Sequence, residues 1–180
     1  MKVISLNIGD KTSVNWRGKI IETGIYKFPT QGPLFLGEKK VEKDNVIDKK
    51  VHGGRDQAVY GYSLKHYDFF KEFYPRLKWQ HGMFGENLTF SDLNEEKINV
   101  GDIYQLGETT LMATKPRRPC YKLGIRFENQ EIINRFLNTT KSGIYFKVLK
   151  TGFVNVDDNL KLLKKSIDSK TIASVFISKK

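Results

Sequence analysis

The order of apolar and polar residues predicts a chain built mostly of short strands. Lys2 to Ile8 alternates, with Ile4, Leu6 and Ile8 on one side, the period of a half-buried strand. Lys19 to Phe28 gives one or two short strands interrupted at Gly24 and ended by Pro29. Asn45 to Val51 is a further candidate, and Asp56 to Tyr62 a stronger one. The period then changes. Leu64, Tyr67, Phe70 and Phe73 recur at helical spacing behind Ser63, a suitable N-cap, and Pro75 stops a helix running to about Tyr74. An aromatic stripe of this kind is the buried face of a core helix.

Farther on, Ile103 to Leu106 and Thr109 to Thr114 form a hairpin around Gly107-Glu108. Asn129 caps a second short helix whose stripe is Ile132, Ile133, Phe136 and Leu137. Gly143 to Leu149 and Phe153 to Val156 pair across Lys150-Thr151-Gly152. From Asp168 a last helix carries Ile172, Val175 and Phe176. About ten short strands against two short helices predict a mainly β (α+β) fold, a twisted β-barrel with a few short helices. Without a repeat, a low-complexity tract or a linker, residues 1–180 read as one domain. Its barrel core covers about residues 1–163, and residues 164–180 form a short tail.

Composition adds limits. Hydrophobic residues at 39% and aromatics at 12% suit a packed core and exclude disorder. A single cysteine excludes an intramolecular disulfide and suits a reducing compartment. No apolar run approaches the roughly 20 residues of a membrane span, and the start of the chain lacks a signal-type apolar stretch. The expectation is a soluble cytoplasmic protein without a membrane partner. The net charge of +11 comes largely from scattered lysine pairs such as Lys39-Lys40, Lys49-Lys50 and Lys164-Lys165. Scattered pairs are solvated surface rather than a nucleic-acid footprint, so a small anionic ligand is the better match.

That ligand has an obvious place. Cys120 follows the last hairpin strand in Pro116-Arg-Arg-Pro-Cys-Tyr-Lys122. A thiolate is both nucleophile and soft metal ligand, and Arg117, Arg118 and Lys122 favour it over the thiol. Pro116 and Pro119 stiffen the loop. A lone cysteine is often just a small buried apolar residue, but three adjacent cations fit that poorly. Three other segments are unusual: His52-Gly53-Gly54-Arg55-Asp56, Phe84-Gly-Glu-Asn-Leu-Thr89, and Gly101-Asp102.

In this order, with Ala58-Val-Tyr60 and Ser142-Gly-Ile-Tyr145, these segments resemble the MOSC domain, named for the C-terminal region of molybdenum-cofactor sulfurases. The similarity is greatest to the small stand-alone bacterial members linked to detoxification of N-hydroxylated bases. The resemblance implies a pocket for a pterin-based molybdenum cofactor (Mo-molybdopterin). It makes Cys120 the expected molybdenum ligand, or else a sulfur carrier. It places Arg118 near the phosphate or pterin, Asn87 on the same ligand and His52 in the pocket, where Arg117, Gly53, Gly54 and Lys122 are further candidates. The residue chemistry agrees: an arginine fork suits phosphate, and a thiolate suits a metal already bound by sulfur.

This chain also departs from the family pattern. It stops at Lys180, where relatives usually continue into a helical extension. Asp157-Asp158 stands where a late Gly-Asp is frequent, and Gly85 stands where some relatives carry a basic residue.

Three functions compete. The first is reduction of N-hydroxylated small molecules at molybdenum held by Cys120. With neither a CxxC nor a dinucleotide fingerprint, its electrons come from a separate reductase protein. The second is sulfur transfer through a Cys120 persulfide. The third is a non-catalytic module that binds cofactor or nucleic acid. Hydrolysis is disfavoured: His52, His66 and His81 are too scattered for zinc. A Cys120–His52 pair lacks an activating helix N-terminus, because prolines flank the arginines.

Overall fold

A computed structural model describes residues 1–45 and 53–178. The strand expected at Asn45 to Val51 therefore lies outside the described residues except for Asn45, which is not in a strand, and His52 lies outside them entirely.

The first strand, β1 (Val3–Gly9), runs between β4 (Lys27–Pro29) and β7 (Leu88–Phe90). Both its faces are covered. Val3, Ser5, Leu6, Asn7 and Gly9 are buried, whereas Ile4 and Ile8 are only half-buried. A register shift between Val3 and Ser5 accounts for the loss of simple alternation. The interior polar side chains satisfy one another: Ser5 Oγ donates to Asn7 Oδ1, and Asn7 Nδ2 to Thr89 Oγ1. Next, β2 (Thr12–Trp16) and β3 (Lys19–Thr23) form a separate hairpin across Arg17-Gly18, both at positive φ.

The main sheet has eight strands. Across it lie β12 (Lys161–Lys164), β8 (Ile103–Leu106), β9 (Thr109–Pro116), β10 (Ile144–Lys150) and β6 (Val59–Ser63), followed by β7, β1 and β4. Only β6 and β7 are parallel. Their crossover carries α1 (Leu64–Lys71) and the loop that ends at Asn87. The mainly β class holds, but the barrel is corrected: the sheet is open in its strand pairing. Its ends are drawn together by backbone bonds just ahead of β12, from Val3 N to Asp158 O (2.9 Å) and from Leu160 N to Met1 O (2.8 Å).

The hairpin expected between residues 143 and 156 does not form. β10 pairs with β9 and β6, and β11 (Gly152–Val154) turns away to pair with β5 (Leu34–Leu36). The expected turn Lys150-Thr151-Gly152 is mostly taken up by strand, Lys150 ending β10 and Gly152 opening β11, and Gly152 lets the chain pass close over Glu108. Phe35 and Phe153 meet edge to face at 5.2 Å in that small sheet.

The helices cover one end. α1 stops at Lys71, short of Tyr74. The hydroxyl of Ser63 does not cap it but accepts from Leu93 N. Tyr67 and Phe70 are buried, whereas Phe73 is 42% exposed under the Arg135 guanidinium. Two more helices, α2 (Tyr121–Arg126) and α3 (Glu131–Leu137), follow β9, and Asn129 accepts from Glu131 N one residue ahead of the cap position. The last, α4 (Ile172–Ile177), is capped by Thr171 and buries Phe176, so the expected tail is packed into the core. Aromatic residues of the helices and of β6 converge on Phe84, which stacks on Tyr62 at 4.3 Å and lies tilted against Phe127 at 5.1 Å. This cluster fixes the loop that leads into Asn87.

Candidate functional site

A cleft with a cavity volume of about 100 Å³, partly open to solvent, lies where the ends of β3, β6 and β9 meet α2. Its lining brings Gly53, Asn87 and the trio Arg117, Cys120 and Lys122 together from three well-separated segments. Gly53 and Gly54 both hold positive φ ahead of the turn Arg55–Gln57, a conformation that favours glycine.

Arg117 leaves β9 and turns inward, 6% exposed. Its Nη1 donates to the Phe84 carbonyl, and the guanidinium lies 5.1 Å over the Tyr60 ring. Burial would lower its pKa, but the Tyr60 and Tyr145 hydroxyls and the Cys120 thiol outweigh burial and hold it above its ordinary value. A fixed cation therefore faces the cysteine. Burial pushes the hydroxyls of Tyr60 and Tyr145 up, opposed by Arg117, and their rings lie 5.1 Å apart on the cleft wall. Gly85 holds φ +77, and a Cβ there would sit 3.2 Å from Ile25 and 3.9 Å from Arg117 Nη2. The cation that this chain lacks at residue 85 is thus supplied beside it by Arg117.

The wall opposite carries charge that the sequence reading missed. Lys27 on β4 is buried and ion-paired with buried Asp44. Asp44 also accepts from Gly9 N at 3.0 Å and from Asn87 Nδ2 at 2.9 Å. Burial lowers the Lys27 pKa despite Asp44, whose charge is shared with those two other donors. The carboxamide of Asn87 is spent on the protein, with Oδ1 accepting from Tyr60 N and Nδ2 donating to Asp44. It lines the cleft while bracing the wall through these bonds.

Cys120 occupies the N-cap position of α2, its carbonyl accepting from Leu123 N. The expectation of no helix at the cysteine is therefore corrected. Pro119 ends the extended segment, and a short helix starts one residue beyond Cys120. Arg118 is placed elsewhere: its Nη1 donates to Phe176 O at 3.0 Å and its guanidinium lies 5.4 Å from that ring, so it ties α4 down instead of lining the cleft. Nor does Gly101-Asp102 line it. Asp102 is a buried turn acceptor for Asn99 N, Ser166 N and Lys165 Nζ. His66 bonds buried Glu95 and is structural. Among the described residues, no three His, Cys, Asp or Glu side chains gather as a metal site.

The sequence model of the MOSC domain matches residues 48–161, more than half of the chain. This chain belongs to the MOSC domain family. Within that family it is 39% identical over 163 residues to the uncharacterized protein YflK of Bacillus subtilis, covering 91% of this chain and 73% of YflK. It is 35% identical to protein YiiM of Escherichia coli, covering 81% of this chain and 66% of that protein. A protein of Gibberella moniliformis named Reductase is 34% identical over 88% of this chain, which spans only 28% of its length. The crystal structure of YiiM from Geobacillus stearothermophilus superposes with a TM-score of 0.79 at 28% identity, covering 97% of this chain and 81% of that one. For a MOSC domain, the cleft at Cys120 is the place to test cofactor chemistry. Among the described residues no helix is long and apolar enough to cross a membrane.

Proposed function

We propose that this chain is a molybdenum-cofactor-dependent reductase of N-hydroxylated small molecules, supplied with electrons by a separate reductase protein. The observation that carries the reading is the convergence of Cys120, Arg117 and Lys27 on one cleft. The residues present fit an anionic pterin bearing a sulfur-bound metal. Cys120 offers a soft ligand, Arg117 and Lys122 offer cations, and Gly24, Gly53 and Gly85 leave the backbone bare for a flat ring system. When bound, the cofactor supplies a centre that exchanges two electrons with the substrate. Arg117 keeps the cysteine side of the cleft positive, and the un-ionised Tyr60 and Tyr145 give it aromatic walls. Kinship to a protein named Reductase, of whose length this chain spans 28%, supports reduction over the alternatives. A reducing, cytoplasmic setting keeps Cys120 a thiol.

The test is molybdenum and pterin content after anaerobic preparation from a cofactor-competent host. Wild type is expected to carry both, and Cys120→Ser neither metal nor activity. Wild type without molybdenum refutes the reading. Sulfur transfer is the second reading, favoured by the Arg117 charge at Cys120. It predicts that intact mass rises by one sulfur atom on Cys120 after incubation with a cysteine desulfurase.

A further inference from the structure

Reduction of an N-hydroxylated amine consumes protons as well as electrons. In R–NH–OH + 2 e⁻ + 2 H⁺ → R–NH₂ + H₂O, the N–O bond breaks, its electron pair leaves with oxygen, which takes one proton to become water, and the two added electrons go to nitrogen, which takes the other proton. The electrons come from the partner, a flavin- or iron–sulfur-bearing reductase. The protons must be delivered at the cleft, and a side chain that lines it can place one on the leaving oxygen.

Few groups of the cleft can give one. Arg117 keeps its proton at any working pH. The Tyr60 hydroxyl is held by the Ser142 carbonyl at 2.8 Å, and burial pushes both it and Tyr145 up, which makes them poor donors. Lys122 is turned to the Glu22 carbonyl at 3.2 Å. Lys27 is different. Its side chain is 8% exposed, it lines the cleft, and it is paired with Asp44, itself 3% exposed and held by Gly9 N and Asn87 Nδ2.

We propose that Lys27 is the proton donor to the leaving oxygen, and that Asp44 is the positioning residue that holds its ammonium at the cleft. The proposal rests on the N–O reduction argued above. The charged groups facing Lys27 are Asp44, Glu86 and Arg117. Burial, the largest influence, and Arg117 both ease loss of its proton, whereas Asp44 and Glu86 retain it. An ammonium so placed gives up its proton more readily than a surface lysine and regains it from solvent through the open side of the cleft.

The experiment uses cofactor-loaded protein, 6-N-hydroxylaminopurine as substrate and reduced methyl viologen in place of the partner. Lys27→Arg keeps the cation and the pairing with Asp44 but has no proton to give. Its kcat is expected to fall about 100-fold or more while KM stays near wild type. The loss of wild-type activity on the alkaline side should also disappear from its pH profile. The double variant Lys27→Met, Asp44→Asn removes both charges, so neither is stranded, and is expected to lose kcat equally. In cofactor-free protein, competitive labelling should show Lys27 titrating below the surface lysines. A Lys27→Arg enzyme with wild-type kcat and pH profile overturns the proposal, as does a Lys27 that titrates with the surface lysines. Loss of bound molybdenum in Lys27→Arg also overturns it, making Lys27 a cofactor holder. Loaded wild type that leaves the substrate unchanged overturns the reductase reading itself.

Discussion

Glu86 is a carboxylate with no access to solvent, and replacing it measures how the cleft loop is held. Its Oε1 accepts from Gly82 N at 2.9 Å, from Thr89 Oγ1 at 2.8 Å and from the Tyr67 hydroxyl, and its Oε2 accepts from Phe84 N at 3.1 Å. In Glu86→Gln the amide oxygen can take the place of Oε1 and keep three donors satisfied. The amide nitrogen then faces Phe84 N, donor against donor. One unsatisfied buried N–H costs about 1–3 kcal/mol, and the remaining bonds lose their charge assistance, so a total of about 2–4 kcal/mol is expected. Glu86→Ala strands both backbone N–H groups and leaves a cavity, for about 4–6 kcal/mol. Urea unfolding followed by circular dichroism gives the free energies. Trp79, whose ring lies 6.2 Å from Phe84 and 5.8 Å from Tyr67, reports locally by fluorescence. At about 2–4 °C per kcal/mol for a chain of this size, Glu86→Gln should melt roughly 4–16 °C lower. A Glu86→Gln protein within about 0.5 kcal/mol of wild type, the range of ordinary surface changes, would refute the reasoning.

The two neighbouring arginines should part company. Arg117→Ala strands the Phe84 carbonyl and is expected to cost about 2–3 kcal/mol together with cofactor content. Arg118→Ala only loosens α4, costing about 1 kcal/mol with metal content unchanged, by urea unfolding and metal analysis. Gly143→Ala forces a positive φ on alanine and puts its Cβ 2.6 Å from the Tyr60 ring and hydroxyl. It is expected to destabilise by about 2–4 kcal/mol and to disturb the near-ultraviolet signal of Tyr60. Asp102 gives a pH test. Burial alone would raise its pKa, but bonds from Lys165, Ser166 N and Asn99 N hold it below the ordinary value of 3.8. A depressed carboxylate contributes stability fully above its unfolded pKa and loses it as pH falls through the folded value. The deficit of Asp102→Asn against wild type is therefore expected to be full at pH 6 and to shrink below about pH 3.8, by urea unfolding across that range.

The fold was legible wherever local pattern and tertiary environment agree. The β8–β9 hairpin lies where Gly107-Glu108 predicts it, and the stripes of α1 and α3 bury Tyr67, Phe70, Ile132 and Phe136. Elements formed by distant partners left no such mark. β12 reads Lys-Leu-Leu-Lys, exposed along its length, and is a strand only because β8 offers it an edge. β7 has three residues and lies in parallel beside β6, a pairing that no local period reveals. The expected pairing of residues 143 to 156 failed for the same reason. Local alternation identifies a strand but not its partner, and β5 won β11.

The site divides along a similar line. Cys120, Arg117 and Asn87 stood out because unusual residues are crowded into short segments there. Lys27 is a single charge and Asp44 one of several in the charged stretch from Glu38 to Asp44, and only the fold brings the two together. One signal was available: a lysine inside Ile25-Tyr26-Lys27-Phe28 is a charge in an apolar run, and a charge so placed must be either turned out or paired. The choice between Arg117 and Arg118 was beyond any such signal. Both follow Pro116 and both carry the same charge, but the Phe84 carbonyl waits on one side of the segment and the Phe176 carbonyl on the other. The carbonyl that receives the first arginine belongs to the loop shaped by Glu86. A buried carboxylate thereby holds the residue, Phe84, whose carbonyl receives the cation beside the cysteine.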